Sequence, residues 1–175
     1  MKKLFLSLSI ISLAASLYLN IPSTVNTADE TKTVATLLDN WHAAAGRNDF
    51  KTYFDKIAEN GHYLGTDPTE NWDTKSFAIW AKPYFDKGKA WNFKALERHV
   101  FFSADGKTAW FDELLNTQMK ICRGSGVLTK DGKSWKIQQY ILSMTVPNEV
   151  VDDAVPLKSK YEDAIIEKLK AKNKN

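Results

Sequence analysis

Glu113 and Arg123 are the residues whose types and spacing first suggest chemistry. If residues 116–120 form a loop centred on 118, Leu115 meets Ile121, Glu113 meets Arg123, and Phe111 and Ser125 share their sheet face, because side chains alternate along a strand. On a concave face such a charge pair clamps a carboxylate or polarises a carbonyl. On an outer face or at a dimer interface it is a cross-strand salt bridge, and a slip of one residue brings Asp112 inward instead. Asp67, before Pro68, is the second candidate. At an apolar mouth its carboxylate is a general base with a pKa raised by desolvation, whereas in a plain turn it accepts backbone N–H groups from Thr69 or Glu70. Glu70 and Trp72 either continue the same rim or fix the loop to the helix that follows. His99 is kept as a possible acid or base, and His62 falls near Asp67 in sequence.

The remaining candidates are ligand contacts rather than reacting groups. Six Trp, six Tyr and nine Phe are enough to fill a core and still line a cavity. Trp41, Trp80 and Tyr84 are assigned to that lining, with Gln139 as a polar contact on the face of Trp135 and Ile137. The three histidines show no metal-ligand spacing, the single Cys122 alternates away from Arg123 as packing, and no phosphate loop or nucleophile triad is present, so no cofactor is implied.

Helices must carry part of this set and strands the rest. Val34, Leu37, Leu38, Trp41, Ala44 and Ala45 recur at helical spacing over 31–45, and Gly46-Arg47-Asn48-Asp49 ends that helix and caps a second over 50–57. Residues 61–65 read as a strand entering the Asp67-Pro68 turn. Residues 73–85 read as a third helix, with Phe77, Trp80, Ala81, Tyr84 and Phe85 on one stripe. The period then changes to two over 93–103, 108–115, 119–129 and 134–144, separated by Asp105-Gly106, Asn116-Thr117-Gln118 and Asp131-Gly132. Helices followed by a meander give an α+β fold in which the helices cover the concave face of a curved antiparallel sheet, forming a cone. Val155, Leu157, Tyr161, Ala164, Ile165 and Leu169 give the C-terminal segment an amphipathic helix that docks on the body or on a partner.

Met1-Lys2-Lys3 followed by an apolar, serine-interrupted stretch to Leu19 is a signal-peptide pattern, too short and too polar for a bilayer span. The expected organisation is a signal peptide over 1–20, a linker over 21–29, one domain over 30–149 and a tail over 150–175, with a periplasmic or secreted destination and no membrane insertion after cleavage. The formal charge is +3, and loss of Lys2 and Lys3 with the leader leaves +1, which gives no footprint for nucleic acid.

Three stretches carry a family resemblance over about 31–148: Leu37-Leu38-Asp39-Asn40-Trp41-His42 with Gly46-Arg47-Asn48-Asp49; Leu64-Gly65-Thr66-Asp67-Pro68-Thr69-Glu70-Asn71-Trp72; and Trp135-Lys136-Ile137-Gln138-Gln139-Tyr140 through Pro147-Asn148. In these words and this element order the chain resembles the nuclear transport factor 2-like superfamily, and within it the SnoaL-like bacterial branch. The resemblance implies a cone-shaped fold and a homodimer formed through the sheet. Asp67-Pro68 is similar to the turn that carries the general base of ketosteroid isomerase. Trp41 and Ser125 stand where that enzyme has its oxyanion donors, a tyrosine and a protonated aspartate. Two functions of different class follow: binding of a small, partly apolar ligand without turnover, or a cofactor-free isomerase or lyase in which Asp67 removes a proton next to a carbonyl.

Overall fold

The structure is a computed structural model that describes residues 27–173, so the signal peptide and most of the linker expected from the sequence lie outside the described residues. Helix α1 (Thr27–Gly46) buries Val34, Leu38, Trp41, Ala44 and Ala45 of the stripe expected from the spacing, with Leu37 only half-buried and His42 buried beside them. Its first turn is fastened to the sheet, where Glu30 accepts hydrogen bonds from Lys130 Nζ at 2.5 Å and Trp135 Nε1 at 2.7 Å. Those two donors hold the Glu30 carboxyl below its ordinary range.

Past Gly46 the chain turns sharply. Asn48 takes a positive φ of 59°, a conformation asparagine tolerates, and Asp49 caps α2 (Phe50–Phe54) by accepting from Thr52 N at 3.0 Å. Helix α2 is shorter than its apolar spacing suggests, because Ile57 begins strand β1 (Ile57–Leu64). A short strand not expected from the sequence, β2 (Asn71–Asp73), pairs antiparallel with the end of β1. Asp73 then caps α3 (Thr74–Asp86), accepting from Ser76 N at 2.7 Å.

The four strands of the meander are β3 (Lys94–Phe102), β4 (Thr108–Thr117), β5 (Lys120–Asp131) and β6 (Ser134–Met144). The sheet order is β2-β1-β6-β5-β4-β3, antiparallel throughout except where β1 lies parallel to β6. Helices α1 and α3 cover one face, and the core between them and the sheet is aromatic, with Trp41 stacked on Tyr53 at 4.9 Å and Tyr63 on Phe77 at 4.0 Å. After a 3-10 turn (Asn148–Val150), helix α4 (Val151–Lys172) buries no residue, and Val155, Leu157, Tyr161 and Leu169 are exposed. The expected amphipathic helix is present, and it does not pack its apolar side on the body.

Two registers depart from expectation, each by one residue. The β4–β5 turn is Gln118-Met119 rather than a loop centred on residue 118, so Glu113 opposes Gly124 and Leu114 opposes Arg123. Thr117 builds this tighter turn, accepting from Met119 N at 2.9 Å and donating to Lys120 O at 2.9 Å, while Lys120 adopts a φ of 69°. In β6, Val127 pairs with Gln139 but Leu128 pairs with Ile137, which leaves Gln138 as an extra bulge residue. Trp135 and Ile137 therefore face inward, and inward facing resumes at Tyr140 and Leu142, with Gln139 turned out.

Candidate functional site

The open end of the cone is ringed by aromatic side chains from four parts of the fold. The end of β1 supplies Tyr63; the following turn and β2 supply Gly65, Thr66, Glu70 and Trp72; α3 supplies Phe77 and Trp80; the segment before β3 supplies Trp91 and Phe93. The β4–β5 turn closes the ring with Gln118 and Met119, above Leu142 of β6, around a cavity of about 180 Å³. The rings hold one another in near-parallel planes: Trp72 to Trp80 at 4.8 Å and 29°, Phe77 to Trp91 at 5.8 Å and 22°. Such mutual packing fixes the lining with little rotamer freedom left to lose on binding. A wider surface trough of about 480 Å³, lined by Trp80, Tyr84, Lys89 and Asn92 among others, shares Trp80, Trp91 and Gln118 with the cavity.

Glu70 reaches this mouth because Gly65 leaves room for it. A Cβ on Gly65 would lie 2.1 Å from Glu70 Oε2, so no larger residue fits without moving the carboxylate. The turn is tied by Gly65 N to Glu70 O at 3.0 Å and Glu70 N to Asp67 O at 2.9 Å, and Glu70 Oε2 accepts from Asp67 N at 3.2 Å.

Beneath the aromatic floor lies a buried polar cluster centred on Glu113, which is 1% exposed. Its Oε1 lies 2.8 Å from His42 Nε2 and accepts from the Tyr140 hydroxyl at 3.1 Å; its Oε2 accepts from Arg98 Nε at 2.8 Å and lies 2.7 Å from Nη2. Arg98 also donates through Nη1 to Ala35 O at 3.0 Å and Asp39 Oδ1 at 2.8 Å, which joins strand β3 to helix α1. Burial opposes ionisation of Glu113, but His42 and Arg98 outweigh it and hold the carboxyl below its ordinary range. Burial, reinforced by the Glu113 charge, pushes the Tyr140 phenol far up, so Tyr140 stays a donor.

Of the residues assigned from sequence, Trp72 and Trp80 line the cavity and Tyr84 the adjoining trough. Trp41, Phe111 and Glu113 are core: Trp41 packs on Tyr53 and Tyr140 with its Nε1 buried and unpartnered, and Phe111 stacks on Tyr140 at 6.1 Å. Arg123, Ser125 and Gln139 are turned to the outer face by the two register shifts, so Glu113 is paired with Arg98 rather than Arg123, and Gln139 does not share the face of Trp135. Asp67 is exposed, and its Oδ1 accepts from the Thr69 hydroxyl at 2.5 Å and Thr69 N at 2.8 Å. Those bonds lower its pKa, the reverse of the raised value that an apolar mouth would impose. His99, also on the outer face, sits 3.1 Å from Asp112 and 3.2 Å from Glu97, and the Asp112 hydrogen bond is the main cause of its raised pKa. His62 is exposed opposite Asp73 rather than beside Asp67. Cys122 is fully buried.

The cluster of Arg98, His42 and Tyr140 around Glu113 was not read from the sequence, although one signal for it exists. A hairpin centred on Asp105-Gly106 places Arg98 directly across from Glu113, as observed. Trp91 lies in the irregular segment before β3, where no periodicity marks an inward face, and Phe93 and Met119, read as the first residues of strands, fall just outside β3 and in the β4–β5 turn.

A curved sheet with helices across its concave face and an aromatic mouth is the cone of the nuclear transport factor 2-like fold, also described as cystatin-like. The chain belongs to the SnoaL-like domain family, whose model matches residues 34–147. Among solved structures, a cystatin-like protein from Caulobacter vibrioides superposes with a TM-score of 0.60 at 11% identity, covering 73% of this chain and 97% of that one. A nuclear transport factor 2-like protein from Pseudomonas putida gives 0.59 at 14% identity, covering 71% and 92%. A proposed dehydratase of the same fold family from Streptomyces avermitilis gives 0.58 at 15%, covering 69% and 99%. No curated protein matches the chain.

Proposed function

We propose that this protein binds a small, partly apolar ligand in the aromatic mouth of its cone. The observation that carries this reading is the cavity of about 180 Å³ walled by Tyr63, Trp72, Phe77, Trp80 and Trp91, with Glu70 and Gln118 as its long polar side chains. Apolar walls with a few polar groups are the usual make-up of a small-molecule site, and the volume, below the usual ~300 Å³, restricts the occupant to a compact molecule or to one that extends into the adjoining trough. An isomerase or lyase at this site needs a base that faces the cavity. The carboxylate that does so is Glu70, since Asp67 is engaged in its own turn.

The serine-interrupted apolar run at the N-terminus supports export, so the ligand is one met in the periplasm or outside the cell. Exposed Phe101 and Trp110, stacked at 5.9 Å on the outer sheet face, support a homodimer through that face. Ligand screening by tryptophan fluorescence tests the reading. A bound compound should lose at least tenfold in affinity with Trp80→Ala and be unaffected by Trp110→Ala. Equal loss in both variants, or none in either, would place the binding site elsewhere.

A further inference from the structure

The proposed site carries one sign of charge. Among the described residues lining the cavity, Glu70 is the only one with a formal charge; the other polar groups are neutral, and Lys89 borders the adjoining trough instead. Most of the remaining wall is built from electron-rich rings. Trp72, Trp80 and Trp91 lie within 6.3 Å of a neighbouring ring of the set, with Tyr63 and Phe77 behind them. Aromatic faces attract cations through the ring quadrupole, most strongly for indole, and an anion in such a place would meet both the π faces and the Glu70 carboxylate. A neutral ligand would leave that carboxylate without a counter-charge.

We infer that the ligand of this mouth is a compact organic cation, an alkylated amine or quaternary ammonium, held by the tryptophan faces with Glu70 as its counter-charge. This rests on the mouth being a binding site, and it adds the sign of the ligand's charge. Glu70 is placed for the role without strain: Gly65 makes room for its side chain, and one carboxylate oxygen, Oε2, is engaged by Asp67 N–H. Glutamine at position 70 can keep that acceptor while removing the charge.

Calorimetric titration of the folded protein with choline, with its neutral carbon isostere dimethylbutanol, and with butyrate separates this inference from the reading beneath it. Choline should bind about tenfold tighter than dimethylbutanol, and butyrate should not compete. Glu70→Gln should lower choline affinity about tenfold and leave dimethylbutanol binding unchanged, which a merely structural role for Glu70 would not do, since loss of the turn would weaken both. Dimethylbutanol or butyrate binding as tightly as choline overturns the cation inference while leaving the mouth as a ligand site. Absence of binding by all three overturns both. Trp80→Phe, which keeps a ring face at that position, should retain choline binding better than Trp80→Leu; equal loss in the two would also sink the proposal.

Discussion

Glu113 shows how one side chain is held by everything around it. Its two oxygens are satisfied by His42, Tyr140 and Arg98, and the glycine opposite it is required by that packing, since a Cβ on Gly124 would fall 2.3 Å from the Tyr140 hydroxyl and 2.9 Å from Glu113 itself. Breaking a buried ion pair by removing one partner leaves an uncompensated charge. Glu113→Gln is therefore expected to lose about 3–5 kcal/mol by urea denaturation, because Arg98 loses its buried counter-ion and keeps only the exposed Asp39 carboxylate. A loss below about 1 kcal/mol would mean that Arg98 finds water or Asp39 sufficient. Arg98 was readable across from Glu113 from the Asp105-Gly106 turn. His42 and Tyr140 were not, because nothing in local sequence distinguishes an inward histidine that meets a carboxylate from one that meets only ring faces.

Strand β5 sets the limits at the scale of the element. Its two glycines at 124 and 126 pair with Glu113 and Phe111 of β4 on one side and Leu142 and Tyr140 of β6 on the other, and a Cβ at Gly126 would meet the Gln139 carbonyl at 2.3 Å and the Phe111 ring at 2.8 Å. A carbonyl in the sheet ladder cannot swing aside as a flexible side chain can. Gly126→Ala should cost about 1–3 kcal/mol and broaden the amide spectrum around the Gln138 bulge, readable in denaturant midpoints and in exchange protection of β6. The bulge turns Gln139 away from the cavity, as the β4–β5 turn does Arg123 and Ser125. Strand positions were legible from period-two alternation, but an extra residue in β6 and a tighter β4–β5 turn each reverse parity; the first is marked only by the Gln138-Gln139 pair between Ile137 and Tyr140, the second by nothing in the hydrophobic pattern.

The fold as a whole is tied together by carboxylates whose partners come from distant segments, Glu30 to Lys130 and Trp135, and Glu113 to His42 and Arg98. Both carboxyls have depressed folded-state pKa values relative to the ordinary 4.5. Groups depressed on folding contribute stability that is present above the unfolded-state value and is lost as pH falls through the folded one. Thermal midpoints should thus stay level from neutral pH down to about 5 and fall steeply below 4.5, and Glu113→Gln should flatten that fall. A midpoint as steep in the variant as in the parent would assign the acid sensitivity elsewhere.

Composition, helical stripes and strand alternation were enough to place three helices before a meander, and the Thr31–Asn148 wording was enough to point to the cone, because both depend on spacing within single elements. Which aromatic rings face the mouth, that Asp67 closes its own turn, and that Arg98 rather than Arg123 answers Glu113 were decided only in three dimensions. The physical reason is that a pocket is made by registers and loop paths, and one residue of slip in a strand turns a side chain from the cavity to the solvent.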